Sequence, residues 1–130
     1  MISLSLEPDD SRSGEVTAEP AEPLPLNADA ARGLLAGGAL LADVREPIEL
    51  AETGKLEGAL NLPLTTLKQH AAHGSTPAEL GVDKNRPVIL YCRSGRRSQE
   101  AGQILLRHGF TRVYNLGGYE DAVKAGLPTA

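Results

Sequence analysis

The chain has no tryptophan, one phenylalanine, one methionine and one cysteine in 130 residues. With so few large rings to bury, its core is expected to be aliphatic, built from Leu, Ile, Val and Ala. A single cysteine closes no internal disulfide, so oxidative stapling plays no part in the fold. A lone thiol also points to a reducing compartment, and the cytoplasm is the expected location. No apolar run approaches the roughly 18 residues that a membrane span needs. The first ten residues, MISLSLEPDD, lack the basic start and long apolar stretch of a signal peptide, so none is expected. No repeat of the kind that builds solenoids is present. What remains is a length and an apolar fraction of 41% that fit one globular domain.

The charge is unevenly spread. Residues 1–23 hold Glu7, Asp9, Asp10, Glu15, Glu19 and Glu22 against Arg12 alone, a net of −5. The whole chain carries −4, which leaves +1 for residues 24–130. The acidity therefore belongs to the leader. With Pro8, Pro20 and Pro23 and little periodic apolar content, residues 1–23 read as a flexible, solubilising extension, and residues 24–130 as the domain.

From Leu24 onward, short apolar runs alternate with helical patterns. Asn27 can cap a helix with Ala30, Leu34 and Leu35 on one face, ended by Gly37-Gly38. ALLADV, 39–44, reads as a buried strand, and EPIELAETG, 46–54, as a helix with Pro47 at its start. GALNLP, 58–63, is a strand stopped by proline. LTTLKQHAAHG, 64–74, is a helix, and PAELG, 77–81, a single turn after it. PVILY, 87–91, is the clearest strand, being apolar on both faces. SQEAGQILLRHG, 98–109, is a helix with Ala101, Ile104 and Leu105 inward; RVYNL, 112–116, and GGYEDAVKAG, 117–126, are a last strand and helix. Such alternation predicts an α/β domain with a mostly parallel sheet. Ligands of parallel sheets sit beyond the carboxyl ends of the strands, which directs attention to the turn after PVILY.

That turn, YCRSGRRSQE, begins with the chain's only cysteine. Cys92 would stand at the end of a buried strand, just ahead of a helix N-terminus. Backbone N–H groups there lack intrahelical partners and form an anion site, to which the helix dipole adds. Arg93, Arg96 and Arg97 bring full positive charges. All of these favour a thiolate, and Gly95 lets the chain turn tightly enough for its amides to approach the sulfur. A buried cysteine is often only a small apolar filler. A filler needs no cations beside it, and arginine at a helix start opposes the dipole. The arrangement suits a nucleophilic thiolate that receives an anion and then carries a negatively charged covalent adduct.

Four segments in this order resemble the rhodanese sulfurtransferases of the single-domain type, over Leu24 to Pro128. CRSGRRS resembles the family's active-site loop, LLADVREPIEL its strand ending in Asp-x-Arg, GKLEGALNLP its Gly-His-Ile-x-Gly-Ala-x-Asn-Ile-Pro segment, and NLGGYEDAVKAGLP its closing pattern. Lys55 stands where the family usually has histidine, and Tyr119 replaces a large aromatic that usually falls later. The resemblance implies a rhodanese-like three-layer α/β domain, with a mostly parallel sheet of about five strands and helices on both faces. It implies a thiosulfate sulfurtransferase, with Cys92 as the catalytic persulfide carrier and Arg93, Ser94, Gly95, Arg96 and Arg97 cradling the substrate. It implies that Asp43 and Arg45 hold the fold, by a buried ion pair or by hydrogen bonds, rather than act in catalysis. The implied partners are a small anionic sulfur donor and a thiol, cyanide or protein acceptor, with no cofactor, no nucleic acid and no membrane.

Two alternatives differ in chemistry. Cysteine phosphatases and arsenate reductases on a related fold carry Cys-x5-Arg, because an oxyanion needs a wider loop closed by a bidentate arginine. Here Cys92 and Arg97 are separated by four residues, and Tyr91 precedes the cysteine where such phosphatases have histidine. A non-catalytic rhodanese-like regulatory module would be expected to have lost the cysteine. His70 and His73 are spaced for one helical face, but no carboxylate or thiol accompanies them, and a polar surface helix is the better reading. His108 at a helix end suits the dipole. No metal site is expected.

Overall fold

The computed structural model describes residues 22–72 and 82–130. His73, the PAELG turn and all of the leader except Glu22 and Pro23 lie outside the described residues. The elements run β1 (Leu24–Pro25), α1 (Ala28–Ala36), β2 (Leu40–Asp43), α2 (Pro47–Thr53), β3 (Leu60–Asn61), α3 (Leu64–Ala72), β4 (Val88–Cys92), α4 (Arg96–Arg107), β5 (Val113–Gly118) and α5 (Tyr119–Lys124). The five strands form one sheet in the order β1-β5-β4-β2-β3, and every pairing is parallel. The expected α/β architecture is thus present. Sequence reading passed over β1, an edge strand of two residues whose Leu24 is paired to Tyr114.

Period-two alternation in a doubly buried strand sends neighbours to opposite faces. In β4 all five residues are buried. Val88, Leu90 and Cys92 join a core with Leu67 of α3 and Ala101, Ile104 and Leu105 of α4. Ile89 and Tyr91 join the opposite core with Ala31 of α1 and Tyr119 and Ala122 of α5. Helices therefore cover both faces. The inward residue of α1 is Ala31, with Leu34 and Leu35 half-buried, while Ala30 faces solvent. The Asn27 side chain accepts from the Ala30 N–H, so position 30 belongs to the cap and the packing face is rotated by one residue. The core is also less purely aliphatic than composition predicts, because Tyr91, Tyr119 and Phe110 are all buried.

The two tyrosines accompany the most polar feature of the interior. Arg45 is 1% exposed and Asp43 is fully buried. The guanidinium grips the carboxylate through Nε and NH2 at 3.0 and 2.7 Å. Its remaining donors go to Thr53 Oγ1 at 2.8 Å and the Gly54 carbonyl at 2.9 Å, at the end of α2. It lies 4.5 Å from the ring centre of Tyr119, which stacks on Tyr91. Burial pushes the guanidinium down, but Asp43 foremost, with Tyr91 and Glu49, holds Arg45 above its ordinary value. Asn61 of β3 donates to the Asp43 and Arg45 carbonyls, which ties the other edge of the sheet to the same corner. Lys55 donates to the Ala59 carbonyl at 2.8 Å and Tyr119 to the Thr53 carbonyl at 3.0 Å, so both departures from the family pattern have structural partners.

Removing one member of a buried pair strands the other charge. Asp43→Ala is expected to lower unfolding free energy by about 3–5 kcal/mol, read from urea denaturation. A loss in the range of an exposed pair, about 0.2–1 kcal/mol, would mean that water reaches Arg45.

Candidate active site

The chain leaves β2 toward β3 on one side of the sheet and leaves β4 toward β5 on the other. Connections that diverge from adjacent parallel strands open a crevice at their carboxyl ends. Cys92, the last residue of β4, stands beside it, and the residue is completely buried.

The loop after Cys92 is short because α4 begins at Arg96, two residues earlier than the sequence pattern predicts. Arg96 and Arg97 are thus the first residues of the helix. Gly95 is its N-cap and adopts a left-handed conformation with φ +96°. That conformation turns the Gly95 N–H onto Cys92 Sγ at 3.0 Å. Ser98, buried in the first turn of α4, places its hydroxyl 3.5 Å from the sulfur. Burial pushes the thiol up, but the N–H groups of Ser98, Ser94 and Gly95 pull it further down, leaving Cys92 below its ordinary value. The sequence assigned this effect to loop N–H groups, the helix dipole and the arginines together; in the structure the hydrogen bonds lead.

The arginines are placed differently from one another. Arg97 forms a two-pronged pair with Glu49 of α2, at 2.7 and 2.9 Å. Arg93 is largely exposed, with its Nε 3.8 Å from the same carboxylate. Arg96 faces solvent. The Arg97 hydrogen bonds bring the Glu49 carboxyl down to about 2 against the opposing effect of burial, and the Glu46 N–H and the charges of Arg97 and Arg93 add to this. Glu49 also accepts from the Glu46 N–H at 3.0 Å, closing a capping box at the start of α2.

Sequence reasoning missed Glu49, Ser98 and Asn115. Glu49 is the third residue after Glu46, the position from which a Glu side chain reaches back to the N-cap N–H in a capping box, although Glu46 is not the usual Ser or Thr cap. Asn115 is a polar residue inside an otherwise apolar strand, two residues before Gly117-Gly118, and that was the available signal. Gly117 and Gly118 let β5 pass close to the loop, and a Cβ on Gly118 would lie 2.5 Å from the Arg93 carbonyl. An open cleft of about 640 Å³ runs beside the loop, bordered by Ser94, Gly95, Arg96, Gln99, Asn115 and Leu26. His70 lies on α3, apart from these residues, and His108 closes α4 with its ring nitrogen 2.9 Å from the Ile104 carbonyl. No group of three potential metal ligands occurs among the described residues, and no helix among them is long and apolar enough to cross a membrane.

The Glu49–Arg97 pair carries a pH signature. The folded carboxyl lies near 2 against an ordinary 4.5, so its stabilisation is complete above pH 4.5 and is lost as pH falls toward 2. The stability difference between the native chain and Glu49→Gln is expected to shrink across that window, as measured by urea unfolding at several pH values. A constant difference from pH 6 down to the lower end would show that Arg97 does not hold the carboxylate in solution.

Comparison with known proteins matches the geometry. The rhodanese-like domain family model covers residues 27–125. YqhL of Bacillus subtilis, described as uncharacterized, is 46% identical over 80 residues, which is 62% of this chain and 56% of that protein. The thiosulfate sulfurtransferase PspE of Escherichia coli is 40% identical over 79 residues, 61% of this chain and 69% of PspE. The solved structure of the human single-domain sulfurtransferase TSTD1 superposes with a TM-score of 0.60 at 29% identity, covering 77% of this chain and 95% of that one. With the parallel sheet, the cysteine loop at its carboxyl edge and the family match spanning most of the domain, the chain belongs to the rhodanese-like domain family.

Proposed function

We propose that this protein is a sulfurtransferase that moves sulfane sulfur from an anionic donor such as thiosulfate to a thiophilic acceptor through a persulfide on Cys92. The observation that carries the reading is the Gly95 amide 3.0 Å from Cys92 Sγ, in a loop that converges on a single buried sulfur. The thiolate attacks the outer sulfur of thiosulfate, the sulfur–sulfur bond of the donor breaks, and sulfite departs with the bonding pair. The negative charge of the resulting persulfide lies on its terminal sulfur, where the N–H groups of residues 93–97 and the α4 N-terminus favour it. A thiolate or cyanide then attacks that terminal sulfur, and the Cys92 thiolate leaves and is regenerated. Arg93 and Arg96, both exposed at the loop, supply positive potential for an arriving anion. Similarity to PspE, a thiosulfate sulfurtransferase, and to TSTD1, a single-domain sulfurtransferase, supports sulfur transfer. A chemistry that depends on a free thiolate fits a reducing compartment such as the cytoplasm.

Phosphatase chemistry is disfavoured on two grounds. Four residues separate Cys92 from Arg97, and the guanidinium that would grip a phosphate is already taken in two-pronged fashion by Glu49.

Incubation with thiosulfate is expected to add the mass of one sulfur atom to the intact protein, and cyanide to remove it. Cys92→Ser is expected to abolish both the adduct and turnover while unfolding remains cooperative. Turnover near the native level in that variant would place the chemistry elsewhere. An aryl phosphate offered in parallel is expected to remain intact; efficient hydrolysis with no sulfur adduct would reverse the assignment.

A further inference from the structure

Asn115 lies on β5 one residue before an irregularity in the pairing with β4. Leu90 pairs with Asn115 but Tyr91 pairs with Gly117, so Leu116 is an extra residue. Bulges of this kind re-aim side chains. The Asn115 amide uses all of its hydrogen-bonding capacity. Its Oδ1 accepts from the Gly117 N–H at 3.0 Å and the Ser98 hydroxyl at 2.7 Å. Its Nδ2 donates to the Gly95 carbonyl at 2.9 Å and to Gln99 Oε1 at 3.1 Å. The two backbone partners fix which end is which, because an N–H only donates and a carbonyl only accepts.

These contacts reach both groups that touch the sulfur. The Gly95 carbonyl is held by Asn115 and by the Gln99 N–H of the first helical turn at 3.1 Å. With the carbonyl fixed and φ left-handed, the N–H on the other side of the same residue is directed at Cys92. The left-handed turn has no side-chain cap of its own. Asn115, from a different strand, takes that place. It also takes the hydrogen of the Ser98 hydroxyl, which holds the first turn of α4, with its own N–H groups, beside the sulfur.

We propose that Asn115 is a positioning residue that clamps Gly95 and Ser98 so that the loop presents its N–H groups to the Cys92 sulfur. This rests on the reading of Cys92 as the reacting thiol. The charged groups near the sulfur are Arg97 and Glu49, which pair with one another, and Arg93 beside the same carboxylate. Asp121 of α5 places a carboxylate oxygen 3.5 Å from where a Cβ on Gly118, the strand partner of Cys92, would lie. Among the described residues no carboxylate or imidazole is hydrogen-bonded to the sulfur, so hydrogen-bond geometry has an unusually clear effect on its ionisation.

The test is the rate of Cys92 alkylation by iodoacetamide against pH in the full chain. In Asn115→Ala the midpoint is expected to rise by about one unit, slowing alkylation about tenfold at pH values below both midpoints. A merely structural role would lower the melting temperature and leave the midpoint in place, and that result overturns the proposal. Should the variant not fold, the native chain labelled with ¹⁵N supplies the answer. The Gly95 backbone and Asn115 side-chain amide resonances are expected to shift with the same midpoint as Cys92, and flat resonances through that midpoint overturn the clamp. Thiosulfate loading is measured separately on the native chain. A reactive thiol that follows these expectations but takes up no sulfur would refute the sulfurtransferase reading and leave Asn115 in its role.

Discussion

The Asp43–Arg45 pair is the contact on which the rest of this structure hangs. It is buried at the carboxyl end of β2, where the chain leaves the sheet, and its spare donors reach Thr53 and Gly54 at the far end of α2. Both ends of α2 are thereby referred to one point. That helix exposes most of its side chains and has no fully buried residue, so apolar packing alone does not hold it. Charge pairing fixes it instead, and a fixed α2 is what allows Glu49 to meet Arg97 across the crevice.

The cysteine loop is consequently held from two sides. From α2, Glu49 secures Arg97 in the first turn of α4. From β5, Asn115 secures Gly95 and Ser98. Between these anchors the loop is short and contains the left-handed Gly95, so its amides converge without a large conformational cost. The sulfur sits on one face of the sheet, within the core shared with α3 and α4, and desolvation alone would keep it protonated. The convergent N–H groups reverse that preference. A group held against its solvation preference by preorganised donors is the usual arrangement for chemistry that develops negative charge.

The division of labour among the arginines follows from the same geometry. Arg45 is interior and structural, Arg97 is neutralised by Glu49, and Arg93 and Arg96 remain at the surface of the loop. Counting cations along the chain assigns all three loop arginines to the thiol. In space, Arg97 is paired with Glu49, and only Arg93 and Arg96 stand exposed beside the loop.

Much of this was legible along the chain. Doubly apolar PVILY had to be a central parallel strand, because only a strand covered on both faces buries every side chain. The lone cysteine at its end, followed by glycine and a helix, had to face free N–H groups, because a helix start always leaves them unpaired. The Asp-x-Arg pair was legible as structural only through its resemblance to the rhodanese pattern; the structure supplies the reason, since buried opposite charges must meet. Three features were decided only by the tertiary structure. The two-residue strand β1 has no pattern long enough to read, and pairing with β5 alone makes it a strand. Glu49 and Arg97 are 48 residues apart in sequence and meet because β2 and β4 are adjacent. Asn115 and Gly95 meet because a one-residue irregularity in β5 turns an amide under the start of α4. Local sequence specifies periodicity, caps and turns, which act over a few residues; partners separated by whole elements are chosen by strand order and register, which only the closed sheet defines.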